Sequence, residues 1–288
     1  MKSKVYFSKN LDSKNLITIY KKLGINLNGR VAVKVHSGEK GNQNFLHPEY
    51  FKDIIDYVKG TVVECNTAYD GARNNSQKHK ALLKEHEWTK YFPVDLLDEE
   101  GPDKEVAIPN GKIIQKNYLG KNIDNYDSML VLSHFKGHPM GGYGGALKQL
   151  SIGCASSYGK AYIHGAGDPK KIWTADHDSF LASMADAASS VINLFPNNIA
   201  YINIMCNMSV DCDCCATAED PCIEDIGILA STDPVAIDKA CLDLVYNSQD
   251  PNKEHLIERI ESRNGIHTIH CAKDLGLGTT DYELINID

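Results

Sequence analysis

The sequence contains no run of 18 apolar residues free of charge, so it predicts no membrane-spanning helix. Behind the charged start Met1-Lys2-Ser3-Lys4-Val5-Tyr6-Phe7 there is no apolar stretch, which excludes a secretory signal there and leads to the expectation of a cytoplasmic protein. Basic blocks and stripes of Lys/Arg interleaved with aromatics are missing, and 30 basic residues stand against 38 acidic ones. A nucleic-acid partner is therefore not expected. Internal repeats and low-complexity segments are also missing, so no domain boundary is marked.

What is present is an ordinary globular composition: 288 residues, 42% hydrophobic and 24% charged. That length buries a substantial core in one domain spanning 1–288, or in two lobes around a cleft. Cysteine is abundant, with Cys65, Cys154, Cys206, Cys212, Cys214, Cys215, Cys222, Cys241 and Cys271. Four of the nine fall between Cys212 and Cys222, and without a secretion signal such clustering reads as metal binding or redox chemistry.

Short apolar runs alternate with longer helical patterns, the signature of βαβ units. Strands are expected at Val31–His36, Thr61–Cys65, Ser128–Ser133, Ala200–Met205 and Ile226–Ala230. Helices are expected at Ser13–Leu23, Pro48–Lys59, Asn75–Glu87, Asp178–Leu194, Asp233–Asn247 and Lys253–Arg263. Pro48 and Pro234 suit first helical turns, where a missing N–H costs nothing. The polar stretch 89–125 reads as a weakly structured antiparallel excursion, with strands at Val106–Ile108 and Lys112–Gln115. The fold class is thus α/β, a mostly parallel sheet flanked by helices.

Two constellations carry chemistry. Cys212, Cys214 and Cys215 follow a strand in a loop with Asp211 and Asp213, and Cys222 comes seven residues later. Thiolates are soft ligands that suit an iron–sulfur cluster, or a single zinc or iron ion. Neither the paired CxxC of a zinc ribbon nor a ferredoxin run is present. Adjacent strand residues point to opposite faces, so Cys214 and Cys215 can share an ion only if the chain turns there. A reactive-thiol role and plain burial are the other readings of these residues.

The second constellation runs from Ser133 to Lys148, where a strand ends and a glycine-rich loop leads into a helix at Ala146–Ile152. Gly141, Gly142, Gly144 and Gly145 would let a ligand approach the backbone, and Lys136 and Lys148 would contact an anion. His134 and His138 are candidate acid/base or metal groups. Open α/β sheets bind ligands at the carboxyl ends of their strands. Two more strand-end loops can reach the same crevice, one with His36 and Lys40 and the other with Arg73. His164 is a further lining candidate, while Cys65, Cys206, Cys241 and Cys271 read as small core residues. The site is expected to take a small anionic molecule.

Together these segments resemble the bacterial and archaeal family known as domain of unknown function 362, whose members carry the label of uncharacterised iron–sulfur centre proteins. The resemblance lies in Lys34–Asn42, Asp70–Arg73, Leu132–Lys148, Gly153–Ser156, Asp211–Cys215, Asp225–Asp238, Leu275–Gly278 and Tyr282–Ile285. Many members carry a ferredoxin-like insertion after the segment matching Gly153–Lys160; here Ala161–Trp173 runs on without those cysteines. The resemblance demotes Cys222, whose position is usually apolar, and promotes Cys154 as a fourth ligand. It also implies, as an alternative, an accessory module for a separate ferredoxin. A more distant similarity links Gly141–Lys148 to nickel-dependent lactate racemases. It implies a nickel pincer cofactor on Lys148, with His134 and His138 acting on a small acid.

Overall fold

The structure is a computed structural model that describes residues 2–101 and 103–288. In chain order the strands are β1 (Ser3–Ser8), β2 (Val31–Lys34), β3 (Thr61–Glu64), β4 (Val94–Leu96), β5 (Lys104–Ala107), β6 (Lys116–Leu119), β7 (Ser128–His134), β8 (Lys136–His138), β9 (Gly142–Gly144), β10 (Ile199–Met205), β11 (Gly227–Ser231) and β12 (Tyr282–Asn286). The helices are α1 (Asn15–Lys22), α2 (Lys52–Val58), α3 (Ser76–Glu85), α4 (Trp88–Tyr91), α5 (Ala146–Cys154), α6 (Ser157–His164), α7 (His177–Ile192), α8 (Pro234–Tyr246), α9 (Lys253–Ser262) and α10 (Ile266–Asp274).

One sheet in the order β12-β1-β11-β10-β7-β2-β3-β4 forms the frame. Only β11 runs antiparallel to its neighbours, so the sheet is mostly parallel, as the α/β reading requires. Alternation along the strands sorts side chains to two faces. On β7, Met129 and Val131 join the core that includes Leu147, Ala185 and Ile237 of α5, α7 and α8. Leu130 and Leu132 join the opposite core, with Leu16 and Ile19 of α1, Ile54 and Ile55 of α2 and Trp88 of α4. Strands buried on both sides read as unbroken apolar runs, which is why the sequence exposed them.

Stretch 89–125 does contain an antiparallel pair, with shifted bounds: β5 joins β6 through Lys104↔Leu119 to Ala107↔Lys116. The same stretch also supplies β4, which extends the main sheet beside β3. The termini contribute β1 and β12, paired in parallel, with β12 at the sheet edge and β1 between β12 and β11. Among the described residues no helix is long and apolar enough to cross a membrane.

The parallel run β10-β7-β2-β3 places four successive carboxyl ends side by side. The loops leaving those ends carry His36, Thr67 to Arg73, His138 and Cys212 to Cys215. The sheet topology therefore gathers segments more than 170 residues apart into one place.

Candidate functional site

The stretch after β7 forms a β-hairpin, not an open glycine loop: β8 pairs with β9 through Lys136↔Gly144 and His138↔Gly142. Its Gly137 lies against the chain ahead of the cysteines. The Gly137 N–H donates to the Ser209 carbonyl at 2.8 Å, and a Cβ there would stand 2.3 Å from the Val210 carbonyl oxygen. Only glycine allows that approach, which seats the cysteine loop on the hairpin.

The cysteine loop turns where the sequence required it to. The Cys215 N–H donates to the Cys212 carbonyl at 2.9 Å, so Cys214 and Cys215 leave the alternation of a strand. The Asn42 side-chain amide donates to the Cys215 carbonyl at 2.8 Å, and the Glu39 N–H donates to the Asp213 carbonyl at 2.8 Å. Arg259 holds the other end through the Val210 carbonyl at 2.8 Å and Asp211 at 3.1 Å. Cross-links of this number fix the thiols relative to the β2 and β7 loops.

Asp213 is the buried hub beneath them. Its carboxylate accepts from His134 Nδ1 at 2.9 Å and from Lys136 Nζ at 2.6 Å, and His36 Nδ1 lies 4.0 Å away. Burial raises its carboxyl, but the charges of His134 and Lys136 outweigh this and hold it well below the usual range. Lys136 is in turn kept charged: burial opposes the ammonium, and Asp213 more than restores it.

Above this hub, His138, Cys212 and Cys214 present ligand atoms within 4.8 Å of one another, a group able to hold a metal ion. Cys214 Sγ lies 3.7 Å from His138 Nε2. All nine cysteines are free thiols. The Cys215 thiol is drawn down by its hydrogen bond with Cys214. Cys214 is raised, because its hydrogen bond with Cys212 is outweighed by that with Cys215 and by burial.

A cavity of about 310 Å³ opens beside the group. His36, Arg73, His138, Lys148, Cys214 and Cys215 line it, together with Lys34, Glu64, Gln149, Lys160, His164 and Trp173. Four cationic side chains face one carboxylate, so the lining is positive. Lys34 pairs with Glu64, and Arg73 donates to Glu39 at 3.1 Å. Lys148 has no carboxylate partner among the described residues. Burial lowers His36 to about 4 and His138 to about 4, the latter helped by the charge of Lys148, and lowers His164 to about 3. All three imidazoles are neutral near pH 7.

Most of the other residues singled out from sequence stand apart from this cavity, Cys65 on its lining excepted. His134 is buried, with Nδ1 on Asp213 and Nε2 on the Cys206 carbonyl at 2.7 Å, and it does not line the cavity. His134 and His138 therefore do not face a common ligand from two sides. Lys136 is turned into Asp213, and Lys40 reaches outward to Glu85 at 3.1 Å. Gly141, Gly142, Gly144 and Gly145 pack against protein and not against the cavity. The Gly141 N–H donates to His138 Nδ1 at 2.8 Å, and a Cβ on Gly145 would stand 2.5 Å from Asp238 Oδ1. Asp238 needs that approach, because its carboxylate accepts the Ala146 and Leu147 N–H groups at the start of α5.

Cys154 ends α5, beside Cys65, whose thiol donates to the Cys154 carbonyl at 3.5 Å. Cys222 donates to the Met208 carbonyl at 3.4 Å and borders a separate surface hollow. Neither belongs to the His138, Cys212 and Cys214 group. Cys65, Cys206 and Cys241 are buried, and Cys271 is half-buried. Sequence reasoning passed over Lys34, Glu64 and Lys160. The first two were visible as charges inside apolar strand runs, a pattern that burial tolerates only for partnered groups.

No curated protein matches the chain. Among solved structures, the lactate racemase apoprotein from Thermoanaerobacterium thermosaccharolyticum aligns at 12% identity and a TM-score of 0.41, over 71% of this chain and 51% of that one. A protein from Thermotoga maritima aligns at 12% identity and a TM-score of 0.46, over 91% of this chain and 58% of that one. This chain thus spans little more than half the length of either neighbour. The model described as domain of unknown function (DUF362) matches residues 31–243, a segment that includes the cysteine loop, the hairpin and every strand end around the cavity. The chain belongs to the DUF362 family.

Proposed function

We propose that this protein holds one soft metal ion at His138, Cys212 and Cys214, at the edge of a cavity that takes a small anionic molecule. The observation that carries this is the approach of one imidazole nitrogen and two thiol sulfurs to within 4.8 Å of one another. Two thiolates and an imidazole suit zinc or ferrous iron, and three protein ligands leave a position open toward the cavity. A cluster held by four cysteines fits less well, since Cys154 and Cys222 lie outside the group. The positive lining, with Lys148 unpaired, supplies the reason for an anion.

A second reading rests on the hydrogen bonds of His138. Its Nδ1 accepts from the Met140 N–H at 3.1 Å and the Gly141 N–H at 2.8 Å, which places the ring proton on Nε2, facing Cys214. A metal-bound histidine ordinarily donates from its second nitrogen. Coordination through Nε2 would set an Nδ1 proton against those two amides, whereas an imidazole N–H beside the Cys214 sulfur requires no rearrangement. This second reading is a reactive-thiol site.

Anaerobic purification followed by metal analysis separates the two. The metal reading expects about one equivalent of zinc or iron per chain, lost in Cys212→Ser and Cys214→Ser. Metal-free wild-type protein whose Cys214 or Cys215 reacts with iodoacetamide faster than glutathione does would overturn it in favour of the thiol.

A further inference from the structure

We propose that Lys160 is an imine-forming amine, at which a small 2-oxo carboxylate is held covalently inside the cavity. Lys160 comes from the first turns of α6, a helix started by Ser156, whose Oγ accepts the Gly159 N–H at 3.0 Å. Its side chain is only 7% exposed yet lines the cavity. Its ammonium nitrogen has one hydrogen-bond partner, the Ala155 carbonyl at 2.6 Å, and no carboxylate within ion-pair distance among the described residues. Its neighbours are arranged otherwise. Lys34 has Glu64, Lys136 has Asp213 and Arg73 has Glu39. Three buried cations are thus built to stay charged and the fourth is not.

Burial pushes Lys160 toward the neutral amine. The Cys65 thiol and Asp98 oppose that, the Lys34 charge assists it, and the net direction is down. A lysine desolvated beside a second cation is the usual setting for carbonyl chemistry. Mass balance is simple. The Lys160 nitrogen adds to the carbonyl carbon, the C–O bond of the carbinolamine breaks, and the oxygen leaves as water with the two nitrogen protons. The ligand's carboxylate is matched by Lys148 on the same cavity lining. About 310 Å³ admits a compound of that size.

This proposal rests on the small-anion reading of the cavity and is independent of the metal. Wild-type protein is treated with pyruvate, or with the uncharged probe propanal, in the presence of cyanoborohydride at neutral pH, and adducts are located by peptide mass spectrometry. The expected result is a reduced adduct on Lys160 with both probes, forming faster than on exposed Lys170. Lys160→Met removes that adduct. Since the variant replaces a buried cation, the site-resolved rates within wild-type protein decide the matter if it does not fold. Adducts spread over surface lysines with Lys160 unmodified by either probe would overturn the proposal. Reaction with propanal but not pyruvate would keep the amine and overturn both the ligand class and the anion reading.

Discussion

Lys34 and Glu64 stand on neighbouring parallel strands, β2 and β3, and form an ion pair buried in the cavity lining. Lys34 Nζ also donates to the Val35 carbonyl, and Glu64 accepts the Ser37 N–H at 2.8 Å. Gly153 on α5 leaves room for the ammonium, since a Cβ there would stand 2.8 Å from Lys34 Cε. Desolvating both charges is costly, and it is offset only because each has further hydrogen bonds. The pair ties the start of the β2 loop, and with it His36, to the base of the site.

Glu64→Gln leaves the Lys34 ammonium without its counter-charge and should lower stability in urea unfolding by about 3–5 kcal/mol. Burial raises the Glu64 carboxyl, but Lys34, then His36 and the other cations, bring it below the ordinary range. A folded value below the unfolded one means stability that is present above about pH 4.3 and lost as pH falls further. Wild-type protein should therefore lose stability more steeply than the variant between about pH 4.5 and 3. Parallel slopes would show that the pair contributes nothing.

Gly137→Ala tests the seating of the cysteine loop. The added methyl would meet the Val210 carbonyl at 2.3 Å, and backbone cannot step aside as a flexible side chain does. The expected cost is about 1–3 kcal/mol of overpacking, with loss of metal content on the metal reading. Unchanged stability and unchanged metal would disprove the contact.

The frame of this molecule was legible in its sequence, and the pairing of its functional groups was not. β2, β3, β7, β10 and β11 announce themselves because both of their faces are buried. β1 and β12 lie at one end of the sheet and carry polar residues that stay partly exposed, such as Ser3 and Lys4, and were not recognisable as partners across nearly the whole chain. The cysteine loop and the hairpin were picked out by composition. Whether a side chain such as His134 opens to a cavity or closes onto Asp213 depends on contacts 79 residues apart. The glycines misdirected for a related reason. Gly145 and Gly137 are required by close protein contacts, and a close contact with protein needs the same missing Cβ as one with a ligand.

Cys154→Ser and Cys222→Ser discriminate between a single ion and a four-cysteine cluster. Both thiols lie outside the His138, Cys212 and Cys214 group. On the single-ion reading each variant keeps about the wild-type metal content, while Cys212→Ser abolishes it. Loss of iron together with inorganic sulfide in Cys154→Ser would instead require a cluster that reaches α5.

Anion binding at the cavity is expected to depend on Lys148 and to be indifferent to histidine protonation. Trp173, 65% exposed at the cavity, serves as a fluorescent reporter for a titration with propionate, an anion that has no ketone or aldehyde to react with Lys160. Removing one charged donor costs about 1.5–3 kcal/mol, so Lys148→Met should weaken binding by about 10–100-fold. Burial holds His36 and His138 to about 4 and His164 to about 3. Because these values lie below the unfolded value of about 6.5, the fold favours the neutral rings. Their contribution to stability is complete above about pH 6.5 and declines as pH falls toward 4. None of these three cavity imidazoles gains charge between about pH 7.5 and 5.5, so affinity should be flat over that range. Affinity that climbs about tenfold on acidification across it would mean that an imidazolium, and not the Lys148 ammonium, receives the anion.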